Sequence, residues 1–143
     1  MIEFVNFNGK LLSVIIRRDF EKNGIEFFTP DDFSQQLAYM KRPEKYVIPP
    51  HVHNIVPRNV ELTQEVLLVK SGSIRVDYYD DSKEYIESRI LYAGDVILLA
   101  HGGHGFEMLE ETEMIEIKQG PYAGEMDKVR FEPIHETKIK VVK

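Results

Sequence analysis

Short alternating stretches, separated by turn residues at close intervals, constrain the fold of this chain more than any other feature. Ser73 to Tyr79 places Ile74, Val76 and Tyr78 on one face of an extended strand. Further strand-like stretches are Lys10–Arg17, Glu65–Lys70 and Val96–Leu99. Turn signals separate them at Asn8-Gly9, Asn23-Gly24, Ser71-Gly72 and Ala93-Gly94-Asp95. The pattern predicts an all-β chain of antiparallel meanders or a barrel.

One segment favours a helix, though only a short one. Thr29 is a suitable cap, Pro30 suits the first helical position, and acids follow in the first turn, so Thr29 to Gln36 predicts at most one helical turn. After it, Leu37 to Ile48 reads as a hairpin that reverses near Pro43 and leads into Pro49-Pro50.

Size and composition exclude several classes of protein. A chain of 143 residues is the length of one domain, so we expect a single domain over 1–143. A net charge of −6 disfavours a phosphate-binding surface, and nucleic acid is not an expected partner. The longest apolar stretches are far below the roughly 20 residues that span a bilayer, and no leader segment is apparent at the amino terminus. We therefore expect a cytoplasmic protein with no membrane partner.

Histidines and a glutamate form a candidate metal site. His51 and His53 are two residues apart, a spacing that places both on one face of a strand. Glu65 follows, and His104 lies downstream after the Gly102-Gly103 step, which allows the backbone to bend. The chain contains no cysteine, so a metal would be bound by nitrogen and oxygen ligands. Such a set suits one divalent transition metal ion, namely Zn, Ni, Mn or Fe.

These residues resemble the two motifs of the cupin superfamily. The first motif, a His-x-His pair, a Glu and a spaced Gly, is matched by His51, His53, Glu65 and Gly72. The second is matched by Gly94, Ala100 in the position of the usual proline, Gly102 and His104. The resemblance covers about residues 36–119. It implies a double-stranded β-helix, or jelly roll, with strands from 1–35 and a tail from 120–143 packed on it, and a homodimer.

The chain departs from the first motif in one respect. The cupin pattern has only a few residues between the histidine pair and the glutamate, whereas here Asn54 to Gln64 intervenes. The insertion predicts an enlarged loop at the mouth of the barrel, or else makes Glu61 the ligand in place of Glu65. The spacing from Glu65 to Gly72 favours Glu65.

The second motif also departs from the cupin pattern. His104 arrives one residue early, and a slip of one residue turns a strand side chain to the other face unless a bend compensates. His101 is therefore an alternative ligand. We favour His104 because Phe106 and Met108 continue its face of the strand as an apolar wall.

Other residues are candidates for binding or catalysis. Glu116 and Lys118 share a strand face and would line the cavity as an acid/base pair, or form an exposed ion pair. Arg58 and Lys118 suit an anionic substrate, although such charges are commonly only solvated. Tyr39 and Phe106 would stack on a sugar ring or else serve as core and dimer contacts.

The resemblance leads to three functional hypotheses. The first is a metal-dependent enzyme that isomerises, epimerises or cleaves a small polar metabolite of the sugar or nucleotide-sugar type, with the ion as Lewis acid. The second is a non-haem iron dioxygenase, since histidines and a carboxylate also suit Fe(II). The third is a cupin that binds a small ligand without catalysis, because one fold hosts unrelated functions.

Overall fold

The computed structural model describes all 143 residues. It contains ten β-strands, two short 3-10 turns and no α-helix. None of its helical segments has the length and apolar character needed to cross a bilayer. The strands are β1 (Ile2–Phe7), β2 (Lys10–Ile16), β3 (Gly24–Phe27), β4 (Ala38–Lys41), β5 (Glu65–Ser71), β6 (Ser73–Tyr79), β7 (Tyr85–Tyr92), β8 (Val96–Leu99), β9 (Gly103–Met108) and β10 (Glu113–Lys118). The 3-10 turns are Gly124–Asp127 and Glu136–Lys138.

All strand pairing within the sheets is antiparallel, which confirms the predicted all-β class. A five-stranded sheet has the order β1-β2-β8-β5-β10, a three-stranded sheet the order β7-β6-β9, and β3 pairs with β4. Each sheet keeps two edge strands, so the finer prediction of a jelly-roll barrel is not confirmed.

The main core lies between the five-stranded and three-stranded sheets. Ile15, Leu67 and Ile97 project from the larger sheet, and Ile74 and Val76 project from the smaller one. All are buried, and burying an aliphatic side chain contributes about 1.5–3 kcal/mol. The alternating pattern of Ser73 to Tyr79 thus supplies the inner face that the sequence predicts.

The outer face of the five-stranded sheet carries two apolar rows that cross all five strands. One row is Phe4, Val14, Leu98, Val66 and Ile117, and the other is Ile2, Ile16, Val96, Leu68 and Ile115. A second cluster covers their centre with Phe20, Phe28, Phe33 and Leu37, and we call it the outer cluster. Both ends of the first row remain exposed, since Phe4 is 50% and Ile117 is 58% exposed.

Two local features between residues 29 and 64 differ from what the sequence favours. Thr29 to Gln36 forms turns rather than a helix, because the Gln36 side chain donates hydrogen bonds to the carbonyls of Pro30 and Phe33 and stabilises a loop. The hairpin predicted around Pro43 is also absent. Ala38–Lys41 pairs instead with the earlier strand Gly24–Phe27, and residues 42–64 form no strand.

Candidate functional site

The candidate site begins with Glu65, the first residue of β5. Its strand neighbours across the sheet are Leu99 on β8 and Lys118 on β10. Glu65 shares its strand face with the core residues Leu67 and Val69, because side chains two residues apart point to the same side. The carboxylate is therefore buried on the inner face, and only 7% of the residue is exposed.

His104 reaches Glu65 from the opposite sheet. It pairs with the buried Tyr78 in the register of β6 and β9, and its Nε2 donates a hydrogen bond of 3.1 Å to Glu65 Oε2. The glycine before β9 allows the bend that brings the histidine inward. Gly102 has a φ of +74°, and a Cβ there would lie 2.5 Å from the Tyr79 carbonyl oxygen. His104 thus lies on the inner face despite the shifted motif.

Lys118 adds a positive charge on the other side of the carboxylate. Its Nζ lies 3.5 Å from Glu65 Oε1 and 3.0 Å from Asp127 Oδ2. Asp127 also accepts a hydrogen bond from the Thr63 hydroxyl. Sequence reasoning missed both Thr63 and Asp127, because neither belongs to a motif and their contact depends on the path of the carboxyl-terminal tail.

The contacts within the site stabilise its charged forms. The hydrogen bond from His104 lowers the pKa of Glu65, with a further contribution from Lys118, and outweighs the burial that would raise it. Hydrogen bonds from Thr63 and Lys118 lower the pKa of Asp127. The hydrogen bond to Asp127 raises the pKa of Lys118. At neutral pH the site therefore contains two carboxylates and an ammonium group.

The histidine pair lies apart from this cluster. His51 and His53 are exposed within 42–64, and their ring centroids are 5.2 Å apart. His51 Nδ1 donates to the Pro49 carbonyl. No group of three or more His, Cys, Asp or Glu residues is close enough to hold a metal ion. The structure brings Glu65 and His104 together, and it does not bring His51 and His53 to them.

The alternative ligands lie at a different place. Glu61 and His101 both line a cavity of ≈ 320 Å³ together with Phe33 and Gln64. His101 Nδ1 donates to the carbonyl of Leu11, and its ring packs edge-on against Phe33. Neither residue takes part in the contacts between Glu65 and His104.

Of the other candidates, only Lys118 and Phe106 lie at the site. The Phe106 ring is 5.4 Å from the His104 ring between centroids. Glu116 is exposed and makes no ion pair with Lys118, whose carboxylate partners are Glu65 and Asp127. Two further candidates lie elsewhere: Arg58 is exposed and its guanidinium donates a hydrogen bond to the Val56 carbonyl, and Tyr39 packs edge-on against Phe20.

Chemically, this is a buried carboxylate that contacts a partly exposed imidazole and a partly exposed ammonium group between two sheets. Such a set can bind a cation, bind an oxyanion or exchange protons. No protein-family model matches the chain, and no curated protein or solved structure matches it significantly. Its likeness to cupins rests on the motif residues alone.

Proposed function

We propose that this chain is a metal-binding cupin and an enzyme that acts on a small polar metabolite carrying an anionic group. The contact between Glu65 and His104 across the two sheets carries the proposal. Ligand atoms about 2.1 Å from a metal ion and at right angles to each other lie about 3 Å apart. The separation of 3.1 Å between His104 Nε2 and Glu65 Oε2 fits such a pair of neighbouring ligands, with the ion taking the place of the Nε2 proton that now joins the two residues.

In this proposal His51 and His53 would complete the ligand set, and the ion would be Zn, Ni, Mn or Fe. A divalent ion held by these residues would supply Lewis-acid polarisation of a substrate carbonyl. The donor set consists of imidazole and carboxylate groups, which suits all four metals.

The remaining residues would bind and orient the substrate. Lys118 is 30% exposed on its side chain and offers its ammonium group to a phosphate or sugar carboxylate. Phe106 presents an aromatic ring next to His104 for the apolar face of a sugar. This combination favours sugar phosphates or nucleotide sugars, and isomerase, epimerase or lyase chemistry.

Elemental analysis of protein purified without chelator tests the metal site. We expect near-stoichiometric metal in the wild type and its loss in Glu65→Gln and in His104→Ala. The matched control is His135→Ala, because His135 is exposed in the tail and its side chain hydrogen-bonds only to Thr137. Wild-type protein that holds no metal even after reloading would overturn the proposal.

The substrate class needs a separate test. Metal-loaded wild type and Lys118→Met should be titrated with a panel of sugar phosphates and nucleotide sugars, and turnover should be followed by NMR. We expect binding and conversion by the wild type and a raised Kd in Lys118→Met. Iron-dependent oxygen consumption would instead identify a dioxygenase, and failure to bind any member of the panel would exclude the sugar preference.

A second candidate is a metal-free ligand-binding protein. It is favoured by the complete internal pairing of the cluster, in which Glu65 contacts His104 and Lys118, and Lys118 also contacts Asp127. Such pairing holds the site together with no ion. Calorimetric titration of chelator-treated protein separates the two candidates, because the binding protein would keep its affinity for the ligand and release it unchanged.

A further inference from the structure

Residues 42–64, which we call the arm, expose apolar side chains to an unusual degree. The arm has no strand, and its exposed apolar residues are Tyr46, Val47, Ile48, Val52, Ile55, Val56, Val60 and Leu62. Val52 is 90% exposed. Eight large apolar side chains left exposed within one segment of a folded protein indicate an interaction site.

A second uncovered apolar surface lies on β10. Ile115 and Ile117 end the two apolar rows of the outer face, next to Leu68 and Val66 on β5. We call these four residues the edge strip. The outer cluster packs against Val66, but it leaves both isoleucines exposed. The apolar face therefore continues beyond the part that the chain itself covers.

The two surfaces also differ in charge. The arm carries three basic residues, Arg42, Lys45 and Arg58, against two acids, although the whole chain has a net charge of −6. The edge strip is bordered by an acid at Glu113 on the same strand, and by Glu110 and Glu111 in the turn before it. An arm placed on the strip would bring opposite charges together, which favours the encounter and fixes its orientation.

We infer that two copies of this chain exchange their arms, so that the arm of each copy covers the edge strip of the other. Within one chain the arm and the strip both remain exposed, so the arm does not cover its own strip. The arm is comparable in length with the 20–30 residues that one partner contributes to a standard interface. Exchange about a two-fold axis buries both strips with the same contacts.

The exchanged arm also brings its histidines to the partner's site, a step that rests on the proposed function. Ile117 is adjacent to Lys118, which pairs with Glu65. If Val47 and Ile48 of one copy cover Ile117 of the other, His51 follows within about 10 Å of extended chain and His53 within about 17 Å. The partner's His51 and His53 would then join Glu65 and His104 in one metal site.

Light scattering of the protein as it elutes from a size-exclusion column measures its oligomeric state and so tests the exchange. We expect a dimer for the wild type and a monomer for Ile117→Asp, because an aspartate would be buried without a partner under the arm. Phe4→Asp is the matched control, since Phe4 ends the same row at the opposite edge with similar exposure. A monomeric wild type, or a dimer that Ile117→Asp leaves intact, would overturn the inference.

Cross-linking gives a second measurement that does not depend on a destabilising charge. The chain contains no cysteine, so in a mixture of Ile48→Cys and Ile117→Cys every disulfide joins two copies, and the mass of the covalent dimer distinguishes a link between the two variants from a link between identical ones. Oxidation of the mixture should yield a covalent heterodimer. Phe4→Cys in place of Ile117→Cys should give none, and equal cross-linking of both mixtures would contradict arm exchange.

Mixing metal-site variants separates the exchange from the proposed function. His51→Ala/His53→Ala lacks the arm ligands, and Glu65→Gln/His104→Ala lacks the ligands between the sheets. After refolding together, half of the dimers are mixed and each has one complete site, so Zn²⁺ content should recover to about a quarter of the wild-type value. If the wild type binds Zn²⁺ and the mixture of variants does not, only the inference of a metal site shared between two copies would be overturned. Cross-linking of Ile48→Cys to Ile117→Cys, together with a dimeric wild type that has no Zn²⁺ affinity, would support the exchange and overturn the proposed function.

Discussion

The two edge strands of the five-stranded sheet, β1 and β10, carry the two ends of the same rows of side chains. They differ in whether the charged residues at those ends form ion pairs. Glu3 on β1 and Glu116 on β10 end one inner row. Glu3 accepts hydrogen bonds from Arg17 at 2.6 Å and Arg89 at 3.2 Å, whereas Glu116 has no ion-pair partner. The β1 edge is closed by a half-buried ion network. The β10 edge leaves an ammonium and an imidazole accessible beside Glu65.

The network at β1 continues inward to Asp95, which is 2% exposed. Its carboxylate accepts hydrogen bonds from Arg17 Nη1 and from the backbone amides of Arg18 and Tyr92. A carboxylate with several fixed donors, such as that of Asp95, thus organises the fold. The two partners of Glu65, an ammonium and an imidazole, are partly exposed, and they are therefore the groups that can bind a ligand.

Asp95→Ala should have the largest effect on stability. Removing the carboxylate takes away one of the two carboxylate partners of Arg17 and leaves the backbone amides of Arg18 and Tyr92 without their acceptor, so we expect a loss of about 3–5 kcal/mol in the free energy of unfolding. Urea titration measures it. Glu116→Ala, at the other edge, should stay within about 0.5 kcal/mol of the wild type. Similar losses for the two variants would remove the distinction between the edges.

Tyr78→Phe should have an intermediate effect. Ser13 Oγ and Tyr78 Oη form a buried hydrogen bond of 2.7 Å, and burial raises the pKa of Tyr78. The substitution leaves the serine hydroxyl unpaired, at a cost of about 1–2 kcal/mol. Adding Ser13→Ala removes the orphaned group and should restore part of the loss. A double variant less stable than Tyr78→Phe would contradict this reason.

Glu65→Gln should remove a pH-dependent contribution to stability. Because the hydrogen bond from His104 lowers the pKa of Glu65, the unfolded chain binds more protons than the folded chain in acid. The contribution is present above the unfolded pKa of about 4.3 and is lost as the pH falls through the folded value. Urea titrations at several acid pH values should show a shallower decline for Glu65→Gln. If the free energy of unfolding declined in parallel with pH for the wild type and Glu65→Gln, the prediction would be wrong.

Lys118→Met should have the smallest effect on folding. The lysine is partly exposed, and exposed ion pairs contribute about 0–1 kcal/mol, so thermal unfolding should change little. Its effect should appear instead in the binding of anionic ligands. A large loss of stability with unchanged ligand affinity would make Lys118 a structural residue like Arg17.

The strands were predictable because their signals are local. Ser73–Tyr79 has the predicted bounds, since the alternation, Gly72 before the strand and the turn residues Asp80-Asp81-Ser82 after it determine where it begins and ends. The inward position of His104 was also predictable, because Phe106 and Met108 share its parity opposite Val76 and Ile74. In both cases the information lies within a few residues of the feature.

The rest depends on contacts between distant parts of the chain. The arm has the apolar residues and prolines that are typical of a hairpin. However, β4 pairs with β3, which precedes the arm in the sequence. Asp127 meets Lys118 only because the tail returns to the sheet after β10. The periodicity of a short stretch of sequence contains no information about either of these contacts.

The distribution of the site over the chain has a kinetic consequence. Glu65 and His104 are separated by 39 residues, and Lys118 belongs to the last strand. Pairings between distant strands form slowly because the intervening chain must first be ordered. A chain still being synthesised therefore lacks the site until its final strand has joined the sheet. Ligand binding in a refolding experiment would then report the completion of the fold rather than its onset.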